Sequence, residues 1–105
     1  MDPELPDLTI ADVVVSNAGR DAGSLFYVLE TEGEYLLLAD GKGRRIEKPK
    51  RKKRKHTKKV LRSETRVAEK LRAGDKVLNS ELRRDLAYLS RELQSEVNEL
   101  WQKTT

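Results

Sequence analysis

The chain has 105 residues, 36% hydrophobic and 38% charged, with a formal net charge of +4. That length holds one small domain with extensions, and so low an apolar share predicts a small core. With no cysteine, disulfides and cysteine-ligated zinc are excluded, and no apolar run approaches the ~20 residues of a membrane span. The start, Met1-Asp2-Pro3-Glu4, is acidic and unlike a secretory signal, so the expectation is a cytoplasmic protein.

The net charge conceals a strong asymmetry. Residues 1–41 hold one basic residue, Arg20, against nine acids. Residues 42–62 hold 13 Lys/Arg against one acid, Glu47, and residues 63–105 balance at eight of each sign. Cations concentrated in one stretch read as an electrostatic binding site.

In chain order, residues 1–9 are an acidic, proline-containing lead-in. Ile10 to Ser16 is a β-branched run that predicts a buried strand, closed by the turn at Asn17-Ala18-Gly19. Leu25 to Leu29 predicts a second strand, Glu32-Gly33 a turn, and Tyr35 to Ala39 a third strand. Asp40-Gly41 and Gly43 mark a further turn, and Arg44 to Glu47 a short fourth strand. Strands this short and this regularly punctuated predict a small antiparallel barrel or curled sheet over residues 10–48.

Pro49 lacks a ladder donor and is expected to end the β region. Residues 49–62 then read as a basic arm, kept extended by its own repulsion until it meets a ligand. Residues 63–105 read as a helical extension. Ser63 is the expected cap of a helix over 64–72 that stops at Gly74. Asn79 or Ser80 is expected to cap a second helix ending near Trp101, with a stripe of Leu82, Leu86, Leu89, Leu93, Val97 and Leu100.

Lys and Arg supply affinity for phosphate backbones without reading sequence. The candidate contacts are Arg20, Lys42, Arg44, Arg45, Lys48, Lys50, Arg51, Lys52, Lys53, Arg54, Lys55, His56, Lys58 and Lys59. Arg44, Arg45, Arg51 and Arg54 carry more weight than the lysines, because guanidinium binds phosphate in bidentate fashion and stacks on bases. Aromatic content is only 5%, and no stacking platform is evident, which favours folded RNA bound by shape and charge over single strands.

The segment Val13-Val14-Val15-Ser16-Asn17-Ala18-Gly19-Arg20-Asp21-Ala22-Gly23-Ser24-Leu25-Phe26-Tyr27-Val28-Leu29 resembles a KOW motif. The likeness continues through Leu38-Ala39-Asp40-Gly41 and Glu47-Lys48-Pro49-Lys50-Arg51-Lys52 to Lys55-His56, and Leu78 to Arg83 is similar as well. Together these resemble the bacterial KOW-domain RNA-binding proteins related to large-subunit ribosomal proteins of archaea and eukaryotes. The resemblance covers about residues 9–58. It implies an SH3-like barrel followed by C-terminal α-helices (an α+β chain), binding to ribosomal RNA, and a place on or near the large ribosomal subunit among its proteins. Gly19 and Gly23 would then set the loop geometry. Position 22 is Ala where many such relatives carry Lys, which removes one cation from the loop.

Blander readings stand beside these. The basic run also fits a solvated tail or a nuclear import signal. Arg20 could pair with Asp21 or Asp12 instead of RNA, and the glycines could serve turn geometry alone. The acidic lead-in is either solubilising or a shield that RNA displaces. The leucine stripe fits a helix packed on its own barrel. It equally fits a partner seam of Leu82, Leu86, Leu89, Leu93, Leu100 and Trp101, in a homodimer or a docking helix. The leading expectation is an RNA-binding protein. The alternative is a protein–protein adaptor acting through the C-terminal helix, with the basic arm only localising it. No enzyme, cofactor or metal is expected: there is one histidine, no P-loop and no carboxylates at metal-ligand spacing.

Overall fold

The run Asp12–Ser16 forms strand β1, and every side chain in it except the half-buried Val15 is buried. A strand apolar on both sides needs cover on both faces. One cover is the two helices; the other is the sheet's own curl. The computed structural model describes residues 8–104 and the side chains of residues 8–94. The acidic lead-in is described only from Leu8, so its shielding role lies outside the described residues, as do the side chains of Val97, Leu100 and Trp101.

Strands β2 (Leu25–Glu32), β3 (Tyr35–Ala39), β4 (Lys50–Lys53) and β5 (Thr57–Arg62) complete an antiparallel sheet of order β4-β3-β2-β1-β5. Helices α1 (Arg66–Ala73) and α2 (Asn79–Thr104) follow. The expected fourth strand at 44–47 is absent; those residues form turns instead. The expected flexible arm over 49–62 is corrected too. It is built into the sheet as β4, a single 3-10 turn at Arg54–His56, and β5. Pro49 does not end the β region but precedes an edge strand, where a missing donor is tolerated.

The sheet curls. In a flat sheet, four spacings would set its outer edges about 19 Å apart. Yet only the turn Arg54–His56 joins the outer strands β4 and β5, and Lys53 to Thr57 spans at most about 14 Å. Irregular register between Val13 and Val14 and between Val28 and Glu30 adds the extra twist that bulges supply. β4 and β5 do not pair, so of the barrel or curled sheet expected from the sequence the open, curled sheet is the one formed.

Alternation along the strands sorts the core in two. Val14, Phe26, Val28, Leu36 and Leu38, with Leu8, fill the inside of the curl. Val13, Tyr27 and Ala39 face the helices and meet Val67, Ala68, Leu82, Leu86 and Leu89. Three members of the expected partner seam, Leu82, Leu86 and Leu89, are therefore buried in the chain's own core, and Leu93 is half-buried. No described helix is long and apolar enough to cross a membrane.

Thr65, not Ser63, caps α1, accepting from the Ala68 N–H at 3.2 Å, and Gly74 closes it at φ 76°. Ser63 is buried and lies 2.9 Å from the Tyr27 hydroxyl. That hydroxyl donates to Asp85, which also accepts from Thr65 Oγ1 at 2.8 Å. One polar cluster thus ties β2, the entry to α1 and α2. Burial, reinforced by the Asp85 carboxylate, pushes the Tyr27 phenol up to about 12.

Nor do Asn79 or Ser80 cap α2 as expected. Glu81 reaches back to the Leu78 N–H at 3.3 Å, half of a capping box. The Asn79 side chain turns toward the preceding loop, accepting from the Ile46 N–H at 2.8 Å and donating to Glu47. Gly41 presses on the same point. A Cβ built there would stand 2.2 Å from the Asn79 carbonyl oxygen, on a backbone at φ 79°.

Two predictions follow from these contacts. Gly41→Ala should destabilise the fold by about 3 kcal/mol, from clash and disfavoured φ together. Urea unfolding measures this, and a loss under about 1 kcal/mol would mean the loop can lift off α2 at little cost. Tyr27→Phe should cost about 1–3 kcal/mol at neutral pH by leaving Asp85 short of a donor. A raised phenol pKa stabilises the fold below the unfolded value and loses that stabilisation as pH rises through the folded one. Wild-type stability should accordingly fall between about pH 10 and 12, and this fall should be weaker in Tyr27→Phe.

Candidate nucleic-acid interface

Strand β4 reads Lys50-Arg51-Lys52-Lys53 and holds no apolar residue. It forms because β3 offers it a ladder, pairing Leu38 with Lys50, Leu37 with Arg51, Leu36 with Lys52 and Tyr35 with Lys53. Paired residues share a face, so Lys50 and Lys52 stand over the inner core beside Leu38 and Leu36. Their aliphatic stems cover apolar surface while the ammonium groups reach for oxygen.

They reach Asp21. Lys50 Nζ lies 2.5 Å from its Oδ2 and Lys52 Nζ 2.9 Å from its Oδ1. Ser16 Oγ donates to Oδ1 at 2.9 Å, and Lys52 also donates to the Ala18 carbonyl at 2.7 Å. Lys52 is only 7% exposed and Asp21 18%. Burial pushes the Asp21 carboxyl up, but the hydrogen bonds from Lys50, Lys52 and Ser16 outweigh it and hold the group well below the carboxylate range. Lys50 and Lys52, expected to bind RNA, are thus first of all part of the fold. Asp21 was weighed as a partner for Arg20; its partners are these two lysines.

Other cations of the basic stretch are similarly engaged. Lys59 Nζ lies 3.4 Å from the fully buried Asp12. Arg51 stacks on the Tyr35 ring at 3.7 Å and meets Glu32 at 3.4 Å. Arg54 Nε donates to the Gly33 carbonyl at 2.7 Å, and its own N–H bonds Glu34. The His56 carbonyl accepts from the Asn17 N–H at 2.9 Å, pinning the 3-10 turn to the β1–β2 loop.

What stays exposed lies mostly in two loops. In an antiparallel meander, alternate connections fall at the same end of the sheet, which places the β1–β2 loop (17–24) beside the β3–β4 loop (40–49). Gly19 and Gly23 take φ of 83° and 91° within the first loop. Asp40 organises the second by accepting from the N–H groups of Lys42 at 2.9 Å and Arg44 at 2.8 Å. Arg20, Lys42, Arg44, Arg45 and Lys48 are all exposed, and none is in an ion pair among the described residues. A shallow depression of about 450 Å³ is lined by Arg20, Arg44 and Lys50 around Ser24 and the carboxylates of Asp40 and Asp21, the latter already bound to Lys50. Lys55 and Lys58 are exposed on and after the 3-10 turn, and Lys53 is half-buried.

Sequence reasoning missed Asp21 as the organiser and Arg83 as a neighbour of the loops. The signal for the first lies in the charge distribution: a surplus of acids in 1–41 facing a surplus of cations in 42–62 is what complementary strands would carry. Arg83 gave no comparable signal, since only the docking of Gly41 on α2 brings it near Lys42.

Asp21→Asn should destabilise the fold by about 2 kcal/mol, less than for a fully buried pair because water still reaches the site. A depressed carboxyl pKa contributes stability above its unfolded value and loses it as pH falls through the folded value. Wild-type stability should therefore decline below about pH 4, and more steeply than in Asp21→Asn. Parallel acid slopes in the two proteins would show that the Asp21 cluster is not linked to folding.

No protein-family model matches the chain and no curated protein matches it, so the role of this surface is read from its residues and their geometry.

Proposed function

We propose that this chain is an RNA-binding protein of the KOW kind, associated with the ribosome, which holds the phosphate backbone of folded RNA on its two basic loops. The observation that carries this reading is the exposed group Arg20, Lys42, Arg44, Arg45 and Lys48 on adjoining loops, none of them in an ion pair among the described residues, though, after the Asn79 hydrogen bond, Arg45 helps to hold the Glu47 carboxyl down. Cations outside ion pairs among the described residues, in a protein that pairs so many others, are suited to an external anion. The SH3-like part of the reading rests on the resemblance over about residues 9–58. The strand order, with the first and last strands adjacent and a 3-10 turn between β4 and β5, supports it.

The chemistry available is that of phosphate contact. Arg20 and Arg44 can each present paired N–H donors to one phosphate, while Lys42 and Lys48 act as point charges. Phe26, at the base of the depression, is buried and offers no face for base stacking. Such a surface recognises backbone geometry before sequence.

If about six exposed cations neutralise phosphates, log K for RNA should fall with log salt at a slope of roughly −4 to −5. Replacing Arg44 and Arg45 together by Gln should lower that slope by about 2 and the affinity at low salt by on the order of tenfold. In sucrose gradients the endogenous protein should travel with the large ribosomal subunit at low salt and leave it at high salt. Free migration at low salt would remove the ribosomal assignment, and salt-independent RNA affinity would remove the electrostatic mechanism.

A further inference from the structure

The depression holding Arg20, Arg44 and Lys50 does not end at the loops. A second depression of about 450 Å³ shares Ser24 and Asp40 with it and runs between the β1–β2 loop and helix α2. Gly23, Ser24, Ala87 and Ser90 line it with small residues, beside the leucines Leu25 and Leu86. Its charged members besides Asp40 are Lys42 and Arg83. Asp40 is engaged by the N–H groups of Lys42 and Arg44, which partly satisfy its charge. Arg83 is exposed and in no ion pair among the described residues.

We propose that these two depressions form one trough, and that the phosphate backbone of RNA runs along it from the loops onto helix α2, with Arg83 as a binding residue. The inference rests on the RNA-binding reading above and extends its interface to the helix. Small side chains let a sugar–phosphate chain approach closely, and cations on both sides of the Ser24–Asp40 saddle match its repeating charge. The adjacent Arg84 makes the contrast. It lines a different depression with Glu81 and Asp85, whose carboxylates lower the attraction for an anion there. Helix α2 thus presents a cation to the trough at 83 and a mixed-charge surface at 84. Gly41 sets the trough's width, since its contact with the Asn79 backbone fixes how near the loop stands to Arg83.

The test compares Arg83→Gln with Arg84→Gln in the full chain, with a base-paired RNA hairpin as probe over a range of salt. Both side chains are exposed, so neither change should alter thermal unfolding. Arg83→Gln should weaken binding by about three- to tenfold at low salt and reduce the salt slope by about 1, while Arg84→Gln leaves both unchanged. Ala87→Glu, which adds a carboxylate to the trough lining, should weaken binding at least as much as Arg83→Gln. Wild-type binding in Arg83→Gln, alongside a loss in the Arg44 and Arg45 double variant, would overturn the trough and leave the loop interface standing. Equal losses at 83 and 84 would overturn it in favour of diffuse helix charge. A wild-type chain that does not bind the hairpin would overturn both readings.

Discussion

The carboxylate of Asp21 is the point on which the basic half of this molecule folds. The core inside the curl is small, and its open end exposes strands whose register positions belong to lysine. Lys50 and Lys52 can lie there only if their ammonium groups find oxygen, because an unpaired buried cation costs several kcal/mol. Asp21 provides it from the β1–β2 loop, with Ser16 and the Ala18 carbonyl completing the shell. Asp12 on the first strand and Lys59 on the fifth make a similar pair. Acids of the first 41 residues and cations of the next 21 are thus partly complementary halves of one sheet, and the +4 left over understates how much charge has already been matched.

A second set of contacts fixes the helices to that sheet. Leu82, Leu86 and Leu89 supply burial, which is non-directional. The Tyr27–Asp85–Thr65 cluster and the seat of Gly41 on Asn79 supply position. The consequence for function is geometric. The loop that carries Lys42, Arg44 and Arg45 is held to the first turn of α2, so loop cations and helix cations keep a fixed spacing.

Much of the architecture was legible in the sequence wherever local pattern and tertiary outcome agree. Tyr35 to Ala39 is a strand with the limits its apolar run implied, and Gly74 stops α1 as its position implied. The leucines at 82, 86 and 89 do line one helical face, and that face meets the chain's own core, the simpler of the two readings of the stripe. What was illegible is β4 and the start of β5. Lys50 to Lys53 has neither apolar periodicity nor β-branching. Its strand character comes from pairing with Tyr35 to Leu38 and from an ion pair 29 residues away in sequence. Reading the run as self-repelling counted the charges within it and omitted those facing it. Charged residues on an edge strand also discourage pairing with other chains, a use of lysine that a local reading does not see. Of the candidate site, the loop cations Arg20, Lys42, Arg44, Arg45 and Lys48 stand exposed and outside ion pairs among the described residues, as a count of charge alone suggests. Lys50, Lys52 and Lys59 meet carboxylates and Arg54 a carbonyl, engagements that such a count does not see.

The difference between an arm and a pair of strands changes the energetics expected of binding. A flexible basic arm gives up conformational entropy when it settles on RNA, at roughly 1–2 kcal/mol of backbone entropy for each residue fixed. Here that ordering is already done by folding, since residues 50–62 are held in strands and a 3-10 turn. Fewer cations are free than the sequence suggests, but those that remain stand at set positions on adjoining loops. Set positions favour a ligand whose phosphates are also set, which describes folded RNA better than a mobile single strand. On the proposed RNA-binding reading, the fold exchanges charge number for preorganisation, and discrimination should come from the spacing of the exposed loop cations more than from their sum.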